Sequence, residues 1–152
     1  MRKIKIYMDC CCFNRPFDEQ SNPIVHLEAE AVKIILSLCE QGVFTLILSQ
    51  ILKFEIEKTP DILRREKLKS LEQIARSIIR IDEEIEKRAK HFEKLGLQSF
   101  DALHLACAEQ ESDIILTVDR KFLRNVKRIK DLKIEIKNPL DWIKEVYYGE
   151  NY

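Results

Sequence analysis

Two short runs in this chain, FTLILS at residues 44–49 and DIILTV at residues 113–118, are apolar at almost every position. A strand with one solvated face alternates apolar and polar residues. A strand apolar throughout must be buried on both faces, as the central strands of a parallel sheet are when helices cover both sides. Three further segments fit the same sheet: KIKIYMD at the start, SIIRID at 77–82 and LKIEIK at 132–137. Between them lie stretches with helical spacing, so short buried strands alternate with amphipathic helices. That pattern predicts an α/β fold: one three-layer α/β/α domain over residues 1–152 with a parallel sheet of about five strands.

Local signals place the helices. Asn22-Pro23 and Asn138-Pro139 each read as an N-cap followed by a first-turn proline, and Thr59-Pro60 is read the same way. Ser99 and Asp82 are further N-cap candidates, and Gly42 and Gly96 end helices. The helix after Pro23 is expected to bury Leu27, Ala31, Ile34, Ile35 and Leu38. The one after Asp82 should bury Ile85, Ala89, Phe92 and Leu95. Residues 10–22 read as a loop.

Composition excludes some classes. Lys+Arg and Asp+Glu are 26 each, so no net charge draws the chain to nucleic acid or anionic lipid. No segment reads as a signal peptide or is apolar enough to span a bilayer, and a cytoplasmic protein is expected. Five cysteines, three of them adjacent (Cys10, Cys11, Cys12), lack metal-ligand spacing. Neighbouring cysteines are not expected to converge on one tetrahedral ion, so they read as reduced, buried thiols. Residues 120–133 hold seven basic side chains against one acid, Asp131. They read either as a solvated helix face or as a track for phosphates.

The positions of the acids carry the functional reading. A helix over residues 101–111 is about 15 Å long at roughly 1.5 Å per residue, and a strand over residues 114–118 covers roughly as much. In a parallel sheet the helix descends and the strand climbs back. Asp101 and Asp119 therefore end at the same rim, the carboxyl edge where α/β folds collect chemistry. Asp9, closing the first strand, reaches that rim too, and Glu55 can reach back to it from the helix after the second strand. Glu57 points elsewhere. Singly, each acid also reads as a helix cap or a loop acid. Together they repel, and a divalent cation relieves the repulsion; oxygen ligands select Mg²⁺ or Mn²⁺ over zinc. The chemistry implied is metal-assisted phosphodiester hydrolysis. Asn14 and Arg15 are candidates to meet a phosphate, Arg120, Lys121 and Arg124 to guide the strand's backbone, and His104 reads as a packing residue.

Four stretches, IYMDCCCFNRPFD, LILSQILKFEIEK, GLQSFDALHLACAE and DIILTVDRKFL, resemble in their order the PIN-domain ribonucleases, particularly the VapC-like toxins of type II toxin–antitoxin systems. The resemblance spans nearly the whole chain. It places the family's acids on Asp9, Glu55, Asp101 and Asp119 and matches Thr117 to a threonine that positions carboxylates or water. It implies RNA cleavage with Mg²⁺ or Mn²⁺, a homodimer, and a small antitoxin partner. The chain departs from the family at Cys10 and Cys11, where a small hydroxyl residue or asparagine is common. Two other readings stand beside this one. One is a non-catalytic scaffold of the same fold. The other is a phospho-acceptor receiver domain, built on Asp9, Asp82, Thr117 and Lys137.

Overall fold

The computed structural model describes residues 2–149. Five strands, β1 (Lys5–Met8), β2 (Thr45–Ser49), β3 (Ser77–Ile79), β4 (Ile114–Leu116) and β5 (Glu135–Lys137), form one sheet, order β3-β2-β1-β4-β5. Every neighbouring pair is parallel. The α/β/α expectation therefore holds. The order also removes the receiver reading, because such folds run 2-1-3-4-5 and set β1 beside β3. Here β1 pairs with β2 and β4, Asp82 caps a helix by accepting from Ile85 N at 2.9 Å, and Lys137 pairs with Glu135 and Glu145.

Strand parity divides the interior in two. On one face Ile6, Met8, Leu46, Leu48, Ile114 and Leu116 pack with Phe13, Val32, Ile35 and Trp142. On the other, Tyr7, Ile47, Ile79 and Ile115 meet Ile85, Phe92, Leu105 and Phe122. The first layer holds α1 (Cys10–Asn14), α2 (Pro23–Glu40) and α8 (Pro139–Tyr148). The second is built on α5 (Glu83–Lys94) and α6 (Ser99–Glu111), with α7 (Arg120–Asn125) at its edge. From α3 (Gln50–Glu57) each layer takes residues: Leu52 and Ile56 go to the first, Ile51 to the second. From α4 (Ile62–Leu71), Leu68 joins the first. No helix among the described residues is long and apolar enough to cross a membrane.

Several local expectations need correction. Residues 10–22 are not a plain loop: Asp9 N-caps α1, and a 3-10 turn follows at Arg15–Phe17. Helix α4 starts after Asp61, whose side chain accepts from Arg64 N, so Thr59-Pro60 forms the turn before the cap. At α6 the N-cap position is Gln98, without a side-chain bond, and Ser99 is the first helical residue. On α2 the buried side holds Ala29, Val32, Leu36 and Cys39 with Ala31 and Ile35, while Leu27 and Ile34 are exposed. That helix carries apolar residues on more than one face, and the sequence does not say which meets the sheet. Of the aromatic C-terminal residues, Trp142 packs on Phe44 in the core, whereas Tyr147 and Tyr148 are exposed.

The turn into α2 is fixed by a charge out of water. Glu28 is buried, with Arg15 Nε 3.2 Å from Oε1 and Asn138 Nδ2 donating to Oε2 at 2.5 Å. Arg15 also donates to Asp18, 3.2 Å away. Removing one partner of a mostly buried pair strands the other. Glu28→Ala is expected to destabilise the chain by about 2–3 kcal/mol, and Glu30→Ala, which removes an exposed pair with Lys33 on the same helix, to leave stability nearly unchanged. Urea unfolding of the two variants checks the contrast.

Candidate active site

Asp9 ends the central strand and is 4% exposed. A carboxylate there needs donors, and the neighbouring strand supplies one. The register sets Met8 opposite Leu116, which brings Thr117 alongside Asp9. Thr117 Oγ1 donates to Asp9 Oδ2 at 2.6 Å, while Cys11 Sγ at 2.8 Å and Cys12 N at 3.3 Å donate to Oδ1. Burial still pushes the Asp9 carboxyl above its ordinary range, against the pull of His104 and of these hydrogen bonds.

Asp119 follows β4 and caps α7, its Oδ1 accepting from Lys121 N at 2.9 Å and Phe122 N at 3.1 Å. Its own N–H donates to Thr117 Oγ1 at 3.0 Å, so one hydroxyl ties two acids together. Both the capping reading and the rim reading of Asp119 are correct. Asp101 stands half-buried in the first turn of α6. Its carboxyl is pushed up to about 6, by burial first and then by the charges of Asp119, Asp9 and Glu55, with His104 pulling the other way. Three acids thus press on Asp101 at the carboxyl edge.

Glu55 arrives by a route the sequence did not reveal. It lies on α3, which Ser49 caps by accepting from Leu52 N at 3.2 Å. Its carboxylate is hydrogen-bonded to His104 Nε2. On the other side of the ring, His104 Nδ1 is 2.5 Å from the Tyr7 hydroxyl, which is 2.6 Å from Ser49 Oγ. The imidazole thus bridges the Glu55 carboxylate through Nε2 and the Tyr7 hydroxyl through Nδ1. His104 is buried, as a packing residue should be, but it also anchors a site acid. The one available signal was Tyr7: a tyrosine inside a buried strand must find a partner for its hydroxyl. Glu57 points away, exposed and paired with Lys69.

The other candidates separate. Arg15 is spent on Glu28 and Asp18 and is not available to a phosphate. Asn14 donates to Cys10 O at 3.0 Å and accepts from Arg64 at 3.3 Å, yet it lines a cleft together with Glu55. Arg120, Lys121 and Arg124 are exposed on α7, immediately after Asp119, with no ion pair among the described residues.

Among the described residues, one group of three ligand atoms lies within 4.8 Å of one another: Asp9, Cys11 and Cys12. Adjacent cysteines therefore do converge, contrary to expectation, though on an acid. Burial pushes the Cys12 thiol well up. At Cys11 a hydrogen bond from Cys12 lowers the pKa, but burial and the Asp9 charge outweigh it and the net shift is upward. Protonated thiols are poor ligands, and the Cys11 thiol donates a hydrogen bond to Asp9. The carboxylates fit a hard ion better. They offer oxygen donors, and the charge they press on Asp101 is what a divalent cation relieves. Among the described residues no three of the four acids present oxygens within that 4.8 Å spacing. Asp101, Asp119 and Glu55 are all part-exposed.

Known proteins give a consistent picture. The PIN-domain family model matches residues 6–128. FitAcB from Neisseria gonorrhoeae is similar in structure with a TM-score of 0.57 and 17% identity, over 88% of this chain and 97% of that one. VapBC2 from Rickettsia felis, bound to a DNA fragment from their promoter, gives 0.58 and 14%, over 89% and 98%. FitAB bound to an IR36 DNA fragment gives 0.58 and 18%, over 89% and 95%. No curated protein is significantly similar in sequence.

The electrostatics predict a pH signature. A carboxyl raised in the folded state contributes stability below its unfolded pKa, near 3.8, and loses it as pH rises through about 6. Asp101→Asn abolishes that loss. In EDTA at about pH 7.5 the variant should be more stable than wild type by about 1–2 kcal/mol, allowing for solvent screening, with the gap closing near pH 4. Urea unfolding at the two pH values measures it.

Proposed function

The chain belongs to the PIN-domain family, whose members are generally nucleases, and on that premise we propose that it is a divalent-metal-dependent endoribonuclease. The observation that carries the reading is Asp101, a half-buried carboxyl raised to about 6 in part by three other acids at the same rim. Helix capping accounts for Asp9 and Asp119 but not for the carboxylates of Glu55 and Asp101 at the same rim.

Asp9, Glu55, Asp101 and Asp119 are the residues to hold Mg²⁺ or Mn²⁺. When bound, the ion supplies positive charge at a phosphodiester oxygen and makes a water more acidic. The protein's own part is positioning. Thr117 fixes Asp9 and the Asp119 backbone, and the His104–Tyr7–Ser49 chain fixes Glu55. Exposed Arg120, Lys121 and Arg124 offer charge to the RNA backbone beside Asp119. The sequence resemblance to VapC-like toxins and the likeness in fold to VapBC2 and FitAB support a toxin role. With it come a cytoplasmic location, a homodimer and a small antitoxin partner.

Asp119→Asn is the discriminating variant, because asparagine keeps the α7 cap and removes only the charge. With Mg²⁺ or Mn²⁺ the wild-type chain should cut RNA transcripts, EDTA should stop it, and Asp119→Asn should slow it about 100-fold or more. RNA left intact with both ions would favour a binding scaffold. Equal cutting of DNA would make the activity nucleolytic without being specific for RNA.

A further inference from the structure

Each of two site acids is preceded by a phenylalanine: Phe54 before Glu55 and Phe100 before Asp101. Both rings are about half exposed, at 48% and 45%, and neither belongs to the two buried cores. Their centroids lie 6.2 Å apart with the planes at 83°. Lys58, the C-cap residue of α3 one turn after Phe54, holds its ammonium 5.4 Å from the Phe54 centroid. These side chains line a cleft of about 600 Å³ whose wall includes Glu55 and Asn14, so it opens onto the acid rim.

Other charges in the cleft are already committed. Arg64 is held by Asn14, Asp18 and the Phe17 carbonyl, and Asp61 caps α4. Lys58 remains, together with two aromatic surfaces left in water at an edge-on angle. Flat apolar faces next to one cation suit a nucleobase and its phosphate. Stacking of this kind accepts any base, but only one whose face is not covered by neighbours in a duplex. A peptide's aliphatic side chain would use the rings and leave Lys58 without a role.

We propose that Phe54, Phe100 and Lys58 form a base-stacking subsite that holds one unpaired nucleotide of the RNA beside the acids. The inference rests on the nuclease reading and adds to it the residues that hold the nucleotide. Stacking on the rings positions the nucleotide, and the adjacent phosphate then lies toward Glu55 and Asp101.

The test is fluorescence anisotropy of a labelled single-stranded RNA hexanucleotide with Mg²⁺, in the Asp119→Asn background so that the strand survives. Phe54→Ala and Phe100→Ala should each weaken binding about tenfold or more, while Phe54→Trp stays within about threefold of the parent. A duplex of the same sequence should bind more weakly and ignore both alanine changes. Strand affinity unchanged within about twofold in the alanine variants would overturn the subsite and assign the rings to another partner, such as a protein segment. Cleavage by the wild-type chain, measured on the same RNA, separates the two claims. Ring-dependent binding without cleavage rejects the nuclease reading and keeps the subsite; cleavage with ring-independent binding rejects the subsite alone.

Discussion

A carboxylate taken out of water at the end of the central strand is the constraint around which the rest of the site is arranged. Asp9 must be met by donors or it would not stay ionised there. The donor from the neighbouring strand is Thr117, and it reaches Asp9 only because β1 and β4 pair with Met8 opposite Leu116. A slip of one residue would turn Thr117 to the other face and leave Asp9 unmet. The same hydroxyl accepts from Asp119 N, so the register that satisfies one acid also fixes the start of α7. Sheet pairing and site assembly are one event in this fold.

The opposite layer reaches the rim through a buried polar chain. Tyr7 alternates with Ile6 and Met8 along β1, so its ring faces α6 instead of α2. Burial holds the Tyr7 hydroxyl protonated, its pKa well above the usual phenol range. As a neutral hydroxyl it bridges His104 Nδ1 and Ser49 Oγ. The imidazole in turn holds Glu55, on a helix from a different crossover. A strand, two helices and a cap residue are coupled through four side chains, which makes the orientation of Glu55 a property of the core instead of the surface.

How much of this was legible depends on range. Apolar runs such as FTLILS announced buried parallel strands because burial on both faces leaves no other pattern, and Asn-Pro pairs announced helix starts because capping is local. Asp101 and Asp119 could be brought together from element lengths alone. Partnerships across the sheet were not readable: His104 meets Glu55 and Tyr7 over separations of 49 and 97 residues, and no spacing encodes them. Arg15 looked free for a phosphate because Glu28, its partner, sits in the first turns of a helix whose buried face was misassigned. The convergence of Cys11 and Cys12 on Asp9 has no signal in the sequence, because it depends on a short helix capped by Asp9 that turns both thiols toward it.

The central claim is that the four acids form one cation site. Calorimetric titration of Mn²⁺ into the metal-free wild-type chain, beside Asp119→Asn, tests it most directly. Asparagine keeps the helix cap and the fold, so a change in affinity reports the ligand charge. Saturable binding by wild type, weakened about tenfold or more in the variant, is the predicted result. Mn²⁺ binding that Asp119→Asn leaves untouched, or no heat of binding from wild type at millimolar Mn²⁺, would contradict it.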